Sequence, residues 1–96
     1  MSTQIIFKFR LYIAGDAPNS AQAYANLIAL CGEHLNNRHE IEIVDVFKEP
    51  KRALIDGVFM TPTLVKMSPS PVQIIVGSLS NTQTVLHALN LEASAL

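Results

Sequence analysis

The chain has no tryptophan, one cysteine and few charged residues. A lone Cys31 cannot form an internal disulfide or a Cys-x-x-Cys pair, which excludes a disulfide scaffold and dithiol chemistry. No stretch approaches the roughly 18 apolar residues needed to cross a bilayer. The start, Met1 to Arg10, lacks the basic region and the uninterrupted apolar run of a signal peptide. The chain therefore reads as a soluble cytoplasmic protein. Formal net charge is only -1, which leaves no broad electrostatic footprint for nucleic acid or an acidic membrane. Charged residues make up 16% of the sequence, against roughly a quarter in ordinary globular proteins. Hydrophobic residues reach 49%, so the shortage of charge does not signal disorder. A chain of 96 residues fits one domain, residues 1–96, with a single core. Such a small domain has much surface to cover and few charges to cover it. Some neutral surface is expected to meet another protein.

What is present reads as alternating strands and helices. Residues 5–13 alternate with a period of two, Phe7, Phe9, Leu11 and Ile13 on one side and Lys8, Arg10 and Tyr12 on the other. Gly15 to Ser20 breaks that pattern, and a helix is predicted to run to about Leu35. Its apolar stripe is Tyr24, Leu27, Ile28, Cys31 and Leu35. Ile41 to Phe47 is a second strand, and a helical crossover makes it parallel to the first. Glu49 to Gly57 is a short helix, with Pro50 in its first turn and Gly57 as a left-handed cap. Thr61-Pro62-Thr63 opens a third strand. Ser68-Pro69-Ser70-Pro71 turns it into a fourth, Val72 to Val76, as an antiparallel hairpin. Ser80 and Gln83 suggest a capping box for a last helix to about Leu91, with Val85, Leu86 and Leu89 inward. The class is α/β, and no repeat or low-complexity segment interrupts it.

This order, with Thr61-Pro62 ahead of the third strand, resembles the thioredoxin-like arrangement, as does Val44 to Pro50 at the exit of the second strand. Thioredoxin-fold enzymes keep Cys-x-x-Cys after the first strand, where a helix N-terminus lowers the thiol pKa. Here that place reads Ala14-Gly15-Asp16-Ala17-Pro18-Asn19-Ser20, without sulfur, and disulfide exchange needs a thiolate. A longer resemblance, without gaps to about Leu89, is to the KaiB family. It is carried by Leu11-Tyr12-Ile13-Ala14-Gly15 with Pro18-Asn19-Ser20, and by Val44-Asp45-Val46 with Lys48 and Pro50. Further on it is carried by Thr61-Pro62-Thr63-Leu64 with Lys66, by Pro69-x-Pro71-Val72, and by Gly77 with Leu79-Ser80. The order and spacing of these pieces give the resemblance its specificity.

The resemblance implies a non-enzymatic regulator, without cofactor or metal, that docks on a KaiC-type hexameric ATPase in a circadian clock or in stress adaptation. A sensor kinase or another clock or stress protein is a further implied partner, because a KaiB-like domain is also found fused to a clock histidine kinase. It implies a resting tetramer or dimer, and a C-terminal half that is metamorphic while the N-terminal strand–helix–strand unit stays constant. The fold-switch region is assigned to Gly57, Gly77, Ala88 and Asn90. Clock-type members carry glycine and aspartate near the last two positions. Because glycine is worse than alanine in a helix by roughly 1 kcal/mol, Ala88 favours a continuous last helix and the thioredoxin-like form. Two other functions stay open: a thiol oxidoreductase of the thioredoxin superfamily, and a stress-related interaction module whose partner is not KaiC-like.

Partner-binding residues are expected among Lys48, Lys51, Arg52 and Lys66, a basic group suited to acidic sites on the ATPase. Asp16 and Asn19 are expected to cap the first helix and to line the docking edge. The thioredoxin-like arrangement implies a cis bond before Pro62, against the trans prior of X-Pro bonds. Cys31 reads as a buried structural thiol and Asp45 as a packing or hydrogen-bonding acid. His34, His39 and His87 lack metal-ligand spacing.

Overall fold

The first strand is hydrogen-bonded to a neighbour along each of its edges, which puts it inside the sheet. A computed structural model describes residues 5–91; the starting residues 1–4 and the ending Glu92 to Leu96 lie outside the described residues. The elements are β1 (Phe7–Ile13), α1 (Pro18–His34), β2 (His39–Asp45), α2 (Pro50–Ile55), β3 (Thr63–Ser68), β4 (Gln73–Val76) and α3 (Thr82–Ala88). They form a four-stranded sheet in the order β2-β1-β3-β4. β1 and β2 are parallel, from Phe7 opposite His39 to Ile13 opposite Asp45. β3 is antiparallel to both β1 and β4. The expected α/β class, parallel N-terminal pair and C-terminal hairpin are all present.

One face of the sheet packs Phe7, Phe9, Leu11 and Leu64 against α1 and α3. On α1 the buried residues are Ser20, Ala23, Leu27, Leu30 and Cys31. This corrects the expected stripe, because Tyr24 and Ile28 are exposed. Small Ser20 and Ala23 share the inner face with Leu27 and Leu30, while Tyr24 and Ile28 turn outward. The other face packs Tyr12, Val44, Val58 and Val65 against Ala53 of α2. Tyr12, read as outward from its alternation, does point away from the first core but is fully buried in the second.

Polar bonds then hold α2 to the sheet. The Tyr12 hydroxyl donates to the Asp56 carboxylate and lies 3.1 Å from the Arg52 carbonyl. Arg10 reaches Asp56 at 2.8 Å and Glu42 at 2.9 Å, and Arg52 reaches Glu42 at 2.8 Å and Glu49 at 3.3 Å. Gly57 follows with φ +72°, the left-handed residue past the end of α2.

Several boundaries differ from expectation, most of all those of β2 and α3. β2 spans His39–Asp45 rather than 41–47. The Asp45 side chain accepts from Phe47 N at 2.9 Å, and its carbonyl accepts from Lys48 N and Glu49 N, which turns the chain before Phe47. Asn81, not Ser80, caps α3, accepting from Thr84 N at 3.1 Å. That helix ends at Ala88 rather than Leu91. Asn90 takes φ +58°, Asn90 N donates to His87 O, and Leu91 N donates to Leu86 O at 2.8 Å. This is a Schellman closure with asparagine in the left-handed position. The Thr61-Pro62 bond is cis, as the resemblance implied; Ser68-Pro69 and Ser70-Pro71 are also cis.

The Tyr12 hydrogen bond, and then the Arg10 charge, hold the Asp56 carboxyl below its ordinary range, against the opposing effect of burial. A depressed folded pKa contributes stability above the unfolded value near 3.8 that is lost as pH falls through the folded value. Asp56→Asn should therefore cost about 1 kcal/mol at neutral pH and flatten the acid limb of urea-unfolding stability. An acid limb as steep as that of the parent would show that Asp56 is not a source of it.

Candidate protein-docking surface

The parallel strands β1 and β2 end side by side, and the loops leaving them meet the segment that leads into β3. Asp45, the last residue of β2, joins these loops. Its Oδ1 accepts from Gly15 N at 3.3 Å and from Phe47 N at 2.9 Å. Asp45 thus has the hydrogen-bonding role expected of it. Gly15 has φ +54°, and a Cβ there would meet the Phe47 ring at 3.5 Å. The backbone conformation, more than the space, favours glycine at this position.

The loop after β1 is closed from within. Ala14 N donates to Ser20 Oγ at 3.1 Å, and Ala17 N donates to Ala14 O at 3.1 Å. Ala17 is the N-cap of α1 and makes no side-chain capping bond; Pro18 occupies the first turn. Asp16 and Asn19 are therefore not caps. Both are exposed on this loop and first turn, free of the role the sequence suggested.

Beside the loop lies a hollow of about 250 Å³, lined by Ala14, Val46, Phe47, Val58, Phe59 and Met60 among others. Phe47, Phe59 and Met60 are 75%, 84% and 64% exposed. Three large apolar side chains clustered around one hollow are more than scattered surface hydrophobics; they form a patch of the kind that meets another protein. A second hollow of about 430 Å³ lies on the α1 side, lined by Ile13, Asp16, Ser20, Tyr24 and Ile43 among others.

The basic residues separate. Lys48 and Lys51 are exposed on the approach to α2 and on its first turn, next to the apolar patch in sequence. Arg52 is bound to Glu42 and Glu49. Lys66 corrects the expectation of an exposed basic face: it is 2% exposed. It sits opposite Phe9 on the α1 face of β3, its Nζ 5.8 Å from the centre of the Phe7 ring. Burial pulls its ammonium below the usual lysine range.

Phe47, Phe59 and Met60 were not among the residues expected to meet a partner. Phe47 was read as the end of a strand, and Phe59-Met60 as a connection to Thr61-Pro62. The available signal was an apolar pair between Gly57 and Thr61-Pro62 with no periodicity to bury it. His39 Nδ1 lies 2.8 Å from the Leu35 carbonyl; a carbonyl only accepts, so the ring nitrogen donates. Among the described residues no group of His, Cys, Asp and Glu has a metal-binding arrangement, and no helix is long and apolar enough to cross a membrane.

The family profile described as KaiB domain matches residues 10–91. The circadian clock protein KaiB3 of Synechocystis sp. is 42% identical over 87 residues, covering 91% of this chain and 85% of that protein. The circadian clock oscillator protein KaiB of Thermostichus vulcanus is 38% identical over 85 residues, covering 88% of this chain and 79% of its own length. Among solved structures, the N-terminal domain of Synechococcus elongatus SasA is similar with a TM-score of 0.74 at 15% identity, over 100% of this chain and 94% of that one. Mitochondrial thioredoxin 3 of Saccharomyces cerevisiae is similar with a TM-score of 0.72 at 18% identity, over 92% of this chain and 81% of that one. At such identities these two likenesses establish the thioredoxin-like fold and nothing about thiol chemistry.

Cys31 lies on the buried stripe of α1, away from the loop that holds cysteines in thioredoxins, and burial pushes its thiol up to about 11. At pH 8 about one thiol in a thousand would be ionised. Native protein should react with a thiol reagent only at the rate of unfolding, and Cys31→Ser should leave insulin reduction at background. Rapid labelling of folded protein would contradict the burial.

Proposed function

The chain belongs to the KaiB family, and from that premise we propose that it is a cytoplasmic, non-enzymatic regulator docking on a KaiC-type hexameric ATPase. Docking alters the phosphorylation or ATPase cycle of the ring, in a circadian clock or in stress adaptation. The observation that carries this reading is the uncovered trio Phe47, Phe59 and Met60 at the end of the sheet. Large aromatic anchors that lose water on contact dominate the binding energy of protein interfaces. Asp45 holds the Phe47 loop against Gly15, so less order has to be imposed when a partner arrives.

Lys48 and Lys51 flank this trio and steer it toward acidic groups on the ring. Arg52 contributes less, since Glu42 and Glu49 already neutralise it. Asp16 and Asn19 border the same loop and contact the partner from its other side. Lys66 takes no part in this packing. In this reading the thioredoxin-like packing is the form that docks. Gly57, Gly77, Ala88 and Asn90 are where a second packing of the C-terminal half would diverge, and any scarcity of the docking form slows the apparent on-rate.

Purified KaiC-type ATPase, with ATP present, provides the test. Phe59→Ser should weaken binding about 30-fold, as for an interface anchor. Its thermal stability should be unchanged, because the side chain it removes is exposed. Lys48→Glu should slow association at low salt, with the difference shrinking as salt screens it. Parental affinity in both variants would reject this surface. Failure of the parent to bind the ring would reject the proposed partner.

A further inference from the structure

A charged side chain folded into an apolar core loses its water. It stays charged only where an opposite charge or hydrogen-bonding groups replace that water. Lys66 is such a side chain, 2% exposed and paired with Phe9 across β1 and β3. The face of the Phe7 ring, 5.8 Å from Nζ, offers it a partial counterweight. Burial pulls the ammonium below the usual lysine range, and no acid among the described residues counters that pull.

Across the β3–β4 pair Lys66 stands opposite Gln73, so both side chains leave the sheet on the face that α1 and α3 cover. Gln73 Oε1 is buried and accepts no hydrogen bond among the described residues. A buried cation thus neighbours a buried acceptor, and neither has found its complement. Together they make a polar site at the edge of an apolar core.

The sequence narrows what can complete this site. Of the chain's eight acidic residues, all but Glu92 lie among the described residues. Their ion pairs go to Arg10 and Arg52, and none goes to Lys66. Glu40 and Glu42 stand opposite Lys8 and Arg10, on the other face of the sheet. Met1 to Gln4 contain no acid. Glu92 remains, and it is the only charged residue that follows Lys66. It comes directly after Leu91, which packs against the core that holds Phe7 and Phe9. The end of β4 and the start of α3 line one groove, so the helix carries Leu91 back toward Gln73, the first residue of β4.

We propose that Lys66 and Gln73 form an internal docking site for the chain beyond Leu91, with the Glu92 carboxylate as ligand of the Lys66 ammonium. An ammonium has three donors, enough to serve both Glu92 and Gln73 Oε1. The contact joins the chain just past α3 to β3, so that helix is held at its end as well as by Val85, Leu86 and Leu89. It acts as a latch on the C-terminal half, because releasing the segment leaves an unpaired ammonium in the core. The latch needs no partner and is independent of the surface proposed for the ATPase.

Zero-length cross-linking of the unaltered protein with a water-soluble carbodiimide tests this directly. Digestion and mass spectrometry of the monomer fraction should show Lys66 joined to Glu92, in preference to the exposed Lys8, Lys48 and Lys51. In urea, Glu92→Gln should raise the unfolding constant about tenfold, as for a lost hydrogen bond to a charged group. The same change in a Lys66→Met background should have no effect, since methionine needs no counter-charge. Glu33→Gln, which alters an exposed acid on α1, should leave stability at the parental value. Hydrogen exchange of the amides from Leu86 to Leu91 should be faster in Glu92→Gln than in the parent. Glu92 cross-linked elsewhere but not to Lys66, or an equal cost of Glu92→Gln with and without Lys66, would overturn the proposal. So would equal stabilisation of the parent and of Glu92→Gln by millimolar phosphate, which would give the site to an anion from solution.

Discussion

The hydrogen bond from the buried Tyr12 hydroxyl to Asp56 is the interaction on which the end of the molecule proposed to dock depends. Tyr12 leaves the central strand on the face that α2 covers, and α2 presents only one buried apolar residue, Ala53, to that face. So short a helix, with so little apolar area, needs a second hold. The phenol donates to Asp56, Arg10 adds its charge to the same carboxylate, and Glu42 draws Arg52 down from the helix. Everything between α2 and β3 takes its place from this attachment. That includes Val58 in the second core and the outward Phe59 and Met60.

Charge and apolar surface are divided along the chain as well as in space. Ion pairs cluster where the sheet face is open, around Arg10, Glu42, Arg52 and Asp56. From Met67 to Leu91 the surface carries none of these groups. A low average charge over the whole chain therefore conceals an ordinarily charged first two-thirds and a neutral remainder.

Much of the architecture was legible because periodicity and punctuation agreed. Alternation along β1, Pro50 and Gly57 around α2, and the proline-rich turn between β3 and β4 each state a local rule that the packing obeys. The errors came where size or a single side chain overrode pattern. Tyr24 and Ile28 look like core by hydrophobicity, yet Ser20 and Ala23 join Leu27 and Leu30 on the inner face. Asn81 and Asn90 set the ends of α3 through one side-chain bond and one left-handed backbone, and periodicity is blind to both. The surface proposed for docking was the least legible. Lys66 was placed outside because it is charged, while Phe47 and Phe59 were passed over because they are apolar, and tertiary packing reversed both.

The register of β1 also has a consequence in time. Its partner on one side, β2, follows soon after it in the chain, but Lys8 pairs with Ser68 on the other side. About 60 residues must be added between the two, which at 5–20 residues per second takes roughly 3–12 s of synthesis. For that interval the strand that becomes the middle of the sheet is itself a rim, with Phe7, Phe9 and Leu11 lacking the cover of α3. The youngest form of this protein on the ribosome is thus more exposed to wrong pairing than the finished one, and whatever shields nascent chains in its cell has those few seconds in which to act.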